Sequence, residues 1–129
     1  MDKRCLNVAE APPALGPYSH AVAAGGFLFL SGQGPFNRDG SGYTPASFET
    51  ECRMTLENIK AVLDGCGSSL DHVVKTTVFL KDMGNFPAFN AIYGEYFGAS
   101  KPARSTIQAA KLPLDIQVEM EAIAIVPGS

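Results

Sequence analysis

The sequence has few of the residues that build disulfide frameworks and metal centres. Its three cysteines, Cys5, Cys52 and Cys66, show no CxxC spacing, and its two histidines, His20 and His72, lie far apart. An odd number of cysteines without paired spacing is not typical of a disulfide framework or a zinc site. We therefore expect reduced, mostly buried thiols and no metal site.

Charged residues are also scarce. They make up 18% of the 129 residues, which is below the usual quarter, and apolar residues account for the difference at 46%. The net charge is −3 and there is no basic run, so we expect no nucleic-acid partner. A small domain that is short of charge often hides additional surface in an oligomer.

Long apolar runs are absent as well. No stretch approaches the roughly 20 residues that span a bilayer, and the first seven residues lack the apolar core of a signal peptide. We therefore expect a cytoplasmic protein with no membrane partner. The chain has no GxSxG elbow to support a serine hydrolase triad. It has no internal repeat or linker either, so residues 1–129 are expected to form a single domain.

Hydrophobic periodicity and turn residues predict two helices flanked by strands. We expect strands at residues 27–33, 73–80, 105–110 and 118–125, a first helix from Pro45 that ends at Gly65 or Gly67, and a second at about 84–97. Thr44 is the expected N-cap of the first helix, and Pro45 suits its first position. Residues 1–15, which contain Pro12 and Pro13, are expected to be irregular.

This order of elements predicts an α+β fold, in which two helices cover one face of a mixed β-sheet. The other face then has no helix to cover it. Alternation in the last strand separates two sets of residues: Val118, Met120, Ala122 and Ala124 against Glu119, Glu121, Ile123 and Ile125. Either set could lie under the helices. If the first set does, a symmetric partner subunit is the economical cover for the second.

One arginine and two carboxylates stand in apolar strands near the end of the sequence. Charge placed in an apolar setting is costly unless it is paired or used, so Arg104, Glu119 and Glu121 are the first candidates for chemistry. The planar fork of Arg104 suits bidentate capture of a carboxylate or phosphate. Glu119 can hold and deprotonate a water molecule. The structural alternative is an Arg104–Glu119 ion pair between adjacent strands, with Glu121 as a solvated charge.

Seven motifs follow one another along the chain. They are GPYSHA at 16–21, SGQGP at 31–35, LENIKAVL at 56–63, VKTTVFLKDM at 74–83, FNAIYGEYF at 89–97, PARS at 102–105 and VEMEAIA at 118–124. Together they closely resemble the Rid family, the reactive intermediate deaminases also known as YjgF-type proteins. No single motif is decisive, but their order is, and the resemblance covers nearly the whole chain.

The resemblance implies a chorismate-mutase-like fold and a homotrimer. Three sheets would face a barrel-like centre, with active sites in the clefts between subunits. It also implies hydrolysis of 2-imino acids, such as 2-iminobutanoate and 2-iminopropanoate, or of their enamine tautomers, to 2-keto acids and ammonia. The substrates would come from pyridoxal-phosphate enzymes such as threonine and serine dehydratases. The deaminase itself would need no metal or organic cofactor.

Site residues are carried over by motif. Arg104 would clamp the substrate carboxylate, and Glu119 would position and activate the attacking water. Tyr18 and Ser31 would contact the substrate or the leaving nitrogen, and Gly32 would bring its backbone to the cleft. As structural alternatives, Tyr18 packs with its hydroxyl satisfied and Ser31 ends its strand.

Further positions either belong to the expected site or depart from the family pattern. Asn90 would shape the subunit boundary, or else brace a loop. Thr106 stands where many deaminase-active members have cysteine, and its expected contribution to substrate binding comes from its backbone. Gly34 replaces a larger aliphatic residue, which could widen the pocket, and His20 stands where glutamine is common.

Three functions compete on this reading. The first is an imine and enamine hydrolase. The second is a non-catalytic trimer that binds a keto acid or an amino-acid-derived ligand, which would need Arg104 but not Glu119. The third is a ribonuclease or translation inhibitor, a label often attached to the family. The net charge of −3 and the absence of a basic patch argue against RNA as a natural partner.

Overall fold

The computed structural model describes residues 2–127. Within that range the chain forms two α-helices, α1 (Phe48–Gly65) and α2 (Phe86–Phe97), and eight strands. The strands are β1 (Arg4–Leu6), β2 (Ala21–Ala24), β3 (Phe27–Gln33), β4 (Phe36–Asn37), β5 (Gly42–Tyr43), β6 (Val73–Leu80), β7 (Ala103–Gln108) and β8 (Val118–Ile125).

Six of these strands form one sheet in the order β1-β2-β3-β8-β6-β7, and β4 and β5 form a separate hairpin. All neighbours in the large sheet are antiparallel except β6 and β7, which are parallel. Helix α2 makes the crossover between these two strands, as a parallel connection requires. Both helices pack into one core with the sheet, so the predicted α+β fold with two helices on one face of a mixed sheet is confirmed.

Helix α1 begins three residues after its predicted first residue. The N-cap is Ser47, whose hydroxyl accepts a hydrogen bond from the Thr50 N–H. Thr44 is not available for this role, because its hydroxyl accepts a hydrogen bond from the Asn37 side chain and so belongs to the β4–β5 hairpin. The predicted apolar face of the helix is correct, since its four inner positions are completely buried: Cys52, Leu56, Ile59 and Leu63.

The N-terminal segment differs from the prediction. Residues 1–15 were expected to be irregular, but Arg4–Leu6 forms β1 and pairs with β2 at one edge of the sheet. A strand of three residues is too short to show a recognisable alternation. Strand β7 also begins earlier than predicted, at Ala103. No helix among residues 2–127 combines the length and the apolar character needed to cross a membrane.

The structure decides which face of β8 lies under the helices. Val118, Met120, Ala122 and Ala124 are buried against them, and the glutamates and isoleucines of β8 point the other way. We call this second surface the open face of the sheet. Its large apolar side chains are more than two-fifths exposed at four positions: Phe27, Phe29, Ile107 and Ile125. Large exposed apolar side chains gathered on one face of a sheet are typical of an interaction site.

Candidate active site

Arg104 points toward helix α2. On β7 it pairs in register with Thr76 of β6, which is completely buried on the helix-covered side. The guanidinium carbon lies 4.7 Å from the ring centre of Tyr93, 5.4 Å from that of Phe86 and 5.9 Å from that of Phe89. All three rings belong to α2 and lie within cation–π distance. The arginine is thus held half-buried against aromatic side chains.

The Arg104 side chain and several polar side-chain atoms of α2, of β7 and of the loop between them have no hydrogen-bond partner in the part of the chain that the structure describes. Within residues 2–127 the guanidinium forms no ion pair and no side-chain hydrogen bond. Three buried side-chain oxygens in the same part of the chain also have no hydrogen-bond partner among those residues: Asn90 Oδ1 on α2, Ser100 Oγ in the following loop and Thr106 Oγ1 on β7. Buried polar atoms are costly when unpaired. We call Asn90, Arg104 and Thr106 the arginine half-site.

Glu119 lies on the open face, against the backbone of β3. A Cβ atom built on Gly32 would lie 2.8 Å from Glu119 Oε2, so only glycine leaves the carboxylate in this position. The pairing of β3 with β8 shifts register between Leu30 and Gln33, which is the segment that contains Ser31 and Gly32. Such irregularities often occur next to active sites. We call Ser31, Gly32 and Glu119 the glutamate half-site.

The surroundings of Glu119 favour its protonated form. Burial raises the pKa of its carboxyl group, and the negative charge of Glu121, two residues along the same strand, raises it further. A carboxylate whose pKa is moved toward neutrality is suited to accept a proton from water. Residues 2–127 contain no group of three histidine, cysteine or acidic side chains placed to hold a metal ion.

Ser31 and Tyr18 differ in how far their hydroxyls are already engaged. Ser31 donates its hydroxyl to the Ser19 carbonyl at 2.6 Å and its N–H to the His20 carbonyl at 3.0 Å. Tyr18 is 46% exposed, and its hydroxyl oxygen accepts a hydrogen bond from the Leu15 N–H at 3.2 Å. The Tyr18 proton therefore remains available to a ligand, whereas the Ser31 side chain mainly fixes the local backbone.

Two of the departures from the family pattern have structural explanations. Gly34 does not widen a pocket, because Ile116 Cδ1 and Phe36 Cε2 would lie 2.8 and 2.9 Å from a Cβ atom there and already fill the space. His20 is buried, and its ring joins two points of the N-terminal segment. Its Nδ1 accepts from the Val8 N–H at 2.8 Å, and its Nε2 lies 2.7 Å from the Pro12 carbonyl oxygen.

The chain does not bring Arg104 and Glu119 together. They lie on opposite faces of the sheet, and β6 separates their strands. Two strand spacings alone amount to roughly 10 Å. The alternative of an Arg104–Glu119 ion pair between adjacent strands is therefore wrong. The predicted site residues instead fall into the two half-sites, with Tyr18 in the exposed loop before β2.

The residues that hold Arg104 were missed by the sequence analysis as parts of a site. Phe86, Phe89 and Tyr93 were identified as the apolar stripe of the second helix, and Thr76 as part of a buried strand. Phe89, Tyr93 and Thr76 are indeed buried, and Phe86 is partly buried against the core. The sequence did contain a signal for this contact: the helix with the aromatic stripe is followed directly by a strand that contains a single arginine.

Comparison with known proteins agrees over nearly the whole chain. A family model described as endoribonuclease L-PSP matches residues 8–126. A RutC family protein of Pyrococcus horikoshii is 45% identical over 122 residues, covering 95% of this chain and 97% of that protein. The 2-iminobutanoate/2-iminopropanoate deaminase of Escherichia coli K12 is 42% identical over 125 residues, covering 95% and 97%.

A solved structure gives the same result. A protein of the conserved Rid family from Yersinia pestis, whose function is described as unknown, is 40% identical and has a TM-score of 0.92, with 97% of this chain and 100% of that one covered. The resemblance to the Rid family is thereby confirmed. The chain belongs to the endoribonuclease L-PSP family, the family of the Rid proteins that its motifs resemble.

Proposed function

We propose that this protein hydrolyses 2-imino acids and their enamine tautomers to 2-keto acids and ammonia. The observation that carries the proposal is the state of Arg104, whose guanidinium is held by aromatic rings and has no acidic partner within residues 2–127. Its N–H donors are therefore free for a substrate carboxylate. The Escherichia coli relative named as an imine deaminase supports the choice of substrate class.

The chemistry needs a clamp and a base. Arg104 would bind the carboxylate of the protonated imine and orient its C2 carbon, which is already electrophilic. Water would add to C2 while Glu119 takes one of its protons. Glu119 would then return this proton to the nitrogen of the carbinolamine. As the C2–N bond breaks, the C2 hydroxyl becomes the carbonyl and its proton passes to the departing ammonia, giving a 2-keto acid and ammonium. General base assistance of this kind contributes about 10²–10⁴-fold.

The two half-sites would meet between copies of the chain. Arg104 lies on β7, an edge strand, and Glu119 lies on the open face, so one copy can bring its β7 edge to the open face of the next. The exposed apolar residues of the open face, including Phe29 and Ile107, would be covered in the same step. In a closed trimer all copies would be equivalent. Each copy would contribute its arginine half-site to one interface and its glutamate half-site to the other.

The test is a competition for a short-lived imine. A threonine dehydratase generates 2-iminobutanoate in situ, semicarbazide traps it, and formation of 2-oxobutanoate is followed with and without this protein. We expect the wild type to divert imine from the trap. Arg104→Ala should lower this effect about a hundredfold, since a charge-assisted bidentate contact is lost.

Controls separate the competing functions. Arg53→Ala is the matched arginine control, because the Arg53 side chain on α1 is 39% exposed, is ion-paired with Glu95 and belongs to neither half-site. It should behave as wild type. If the wild type binds 2-oxobutanoate but does not protect the imine, the non-catalytic ligand-binding function replaces the proposal. An oligoribonucleotide cleaved by the wild type and by Glu119→Gln alike would instead support the ribonuclease label.

A further inference from the structure

Arg104 is fixed by an aromatic platform, which we define as Phe86, Phe89 and Tyr93. Tyr93 is the nearest member, with its ring centre 4.7 Å from the guanidinium carbon. A buried arginine is usually held by a carboxylate, which uses its N–H donors and cancels its charge. An aromatic ring instead attracts the flat face of the guanidinium, and the N–H donors at the edge of the guanidinium stay free.

Tyr93 itself has little freedom to move. It is 8% exposed, and its ring packs between Phe89 at 5.5 Å and Phe97 at 4.8 Å between ring centres. Its hydroxyl shares a 2.8 Å hydrogen bond with the Thr76 hydroxyl. Thr76 is the residue directly opposite Arg104 in the parallel β6–β7 pair. The position of the ring is therefore tied to the strand register that places the arginine.

In the contact between Tyr93 and Arg104, only the arginine carries a charge. Burial raises the pKa of the Tyr93 phenol, against smaller opposing effects of the Thr76 hydrogen bond and the Arg104 charge. The phenol therefore stays protonated through the physiological range. No carboxylate among residues 2–127 forms an ion pair with Arg104, so no paired negative charge offsets its positive charge.

We propose that the ring of Tyr93 is a positioning group that orients Arg104 with its donors free for the carboxylate of a 2-oxo or 2-imino acid; this rests on the proposed function of the site. Tyr93 does not touch the reacting atoms. It acts by holding the guanidinium plane in one orientation before the ligand arrives. This preorganisation lowers the cost of ordering the side chain on binding.

The test compares three variants of one helix, using 2-oxobutanoate as the probe in calorimetric titrations. Tyr93→Leu removes the ring and should weaken binding about tenfold, a loss of one desolvated cation–π contact. Tyr93→Phe keeps the ring and should stay within about threefold of wild type. Ile92→Ala is the matched control, because it truncates a buried side chain of the same helix that lies outside the aromatic platform and outside the ring stack around Tyr93.

A second measurement reports on Arg104 without any ligand. The side-chain Nε–H resonance of Arg104, assigned by its absence in Arg104→Lys, should be displaced by ring currents in the wild type and in Tyr93→Phe. It should move toward the position of an exposed arginine in Tyr93→Leu. A purely structural role of Tyr93 would predict equal losses of binding in Tyr93→Leu and Ile92→Ala and an unchanged Arg104 resonance.

The outcomes separate this inference from the function on which it rests. A wild type that neither binds 2-oxobutanoate nor protects the imine overturns the proposed function, and with it the role of Tyr93. A wild type that does both, with binding unaltered in Tyr93→Leu or equally weakened in Tyr93→Phe, overturns the inference alone. Weakened binding in Tyr93→Leu together with near-normal binding in Tyr93→Phe and Ile92→Ala supports it.

Discussion

Arg104 and Glu119 lie on opposite faces of the same sheet, and strand β6 runs between them. In register, Glu119 stands opposite Phe79 of β6, whereas Arg104 stands opposite Thr76, three residues away. No side-chain rotation can join two groups across a packed sheet. If both act on one substrate, they must come from different copies of the chain.

Subunit mixing tests this directly. Arg104→Ala and Glu119→Gln proteins, each inactive alone, should regain activity after joint refolding in equal amounts. We expect about a quarter of wild-type activity, because half of the sites receive an intact arginine and half of those meet an intact glutamate across the interface. Imine protection is the measurement.

The control for mixing uses the double variant. Refolding Arg104→Ala with Arg104→Ala/Glu119→Gln supplies no intact arginine, so activity should stay at the level of the single variants. If mixing Arg104→Ala with Glu119→Gln also restores nothing, while the two proteins demonstrably form mixed oligomers, the two-copy site is wrong.

Gly32 should be essential for activity and nearly neutral for stability. In Gly32→Ala the new methyl group would meet Glu119 Oε2 at 2.8 Å, and the flexible carboxylate would move aside. The free energy of unfolding should change by less than about 1 kcal/mol, since a flexible side chain absorbs the clash. Displacement of the base should lower activity about a hundredfold.

Denaturant unfolding and imine protection measured on the same preparations check both parts. Gly94→Ala is the control, because nothing lies within 4 Å of a Cβ there and the residue is in helix α2. It should stabilise the protein by about 0.5–1 kcal/mol and leave activity unchanged. Full activity in Gly32→Ala would remove Glu119 from the mechanism.

The acid limb of the pH–rate profile should report on Glu119. Burial raises the pKa of this carboxyl group first, and the charge of Glu121 raises it further. A base must be ionised to act, so activity should fall as pH drops through the raised pKa. Glu121→Gln removes the second cause and should move the acid limb to lower pH. Glu10→Gln, an exposed change outside the sheet, should leave it in place.

The measurement is kcat/KM for imine hydrolysis across the acid range. A limb that stays fixed in Glu121→Gln, or moves to higher pH, would mean that a group other than Glu119 sets it. The direction of the shift is decisive here, because loss of folded protein would lower activity at every pH without moving the limb.

Glu51 predicts a pH dependence of stability rather than of activity. It is completely buried and accepts four hydrogen bonds, from Tyr43 Oη, the Ala46 N–H, and the Gln117 N–H and side chain. Burial alone raises the pKa of Glu51, but these bonds outweigh it and hold the pKa below its ordinary value of 4.5. Its stabilisation is therefore complete above that value and is lost as pH falls through the lowered pKa.

Chemical unfolding as a function of pH checks this expectation. Glu51→Gln turns one acceptor atom into a donor that faces other donors, so the free energy of unfolding at pH 7 should fall by about 3 kcal/mol. Its decline with pH below about 4.5 should also become shallower than in the wild type. Glu49→Gln is an exposed change two residues away on the same helix, and it should lower the free energy of unfolding by less than about 0.5 kcal/mol. Equal losses of stability in Glu51→Gln and Glu49→Gln would contradict the stabilising role given to the buried Glu51 carboxylate.

Much of the fold follows from local patterns. The inner face of α1 and the alternation of β8 were predicted correctly, because a period of 3.6 or 2 needs only neighbouring residues to be visible. The start of α1 was predicted wrongly because two capping residues, Thr44 and Ser47, lie close together and the hairpin uses the first. Strand β1 was missed because its stability comes from pairing with β2, not from its own three residues.

The candidate site was predictable as a set of residues but not as an arrangement. Motifs named Arg104 and Glu119, yet their faces depend on how β6 pairs with β7 on one side and β8 on the other. Phe86, Phe89 and Tyr93 looked like ordinary core residues. Their contact with Arg104 appears only when α2 folds over the parallel strand that it connects.

The sequence by itself determined the α+β class, the inner faces of the helices, the family and the chemical groups available for a reaction. These depend on residue type and short-range periodicity, which the chain displays directly. Only the tertiary structure decided that Arg104 and Glu119 face opposite sides and that an aromatic platform holds the arginine. The reason is physical: strand order and register come from contacts between residues far apart in the chain, and a shift of one residue would reverse every face.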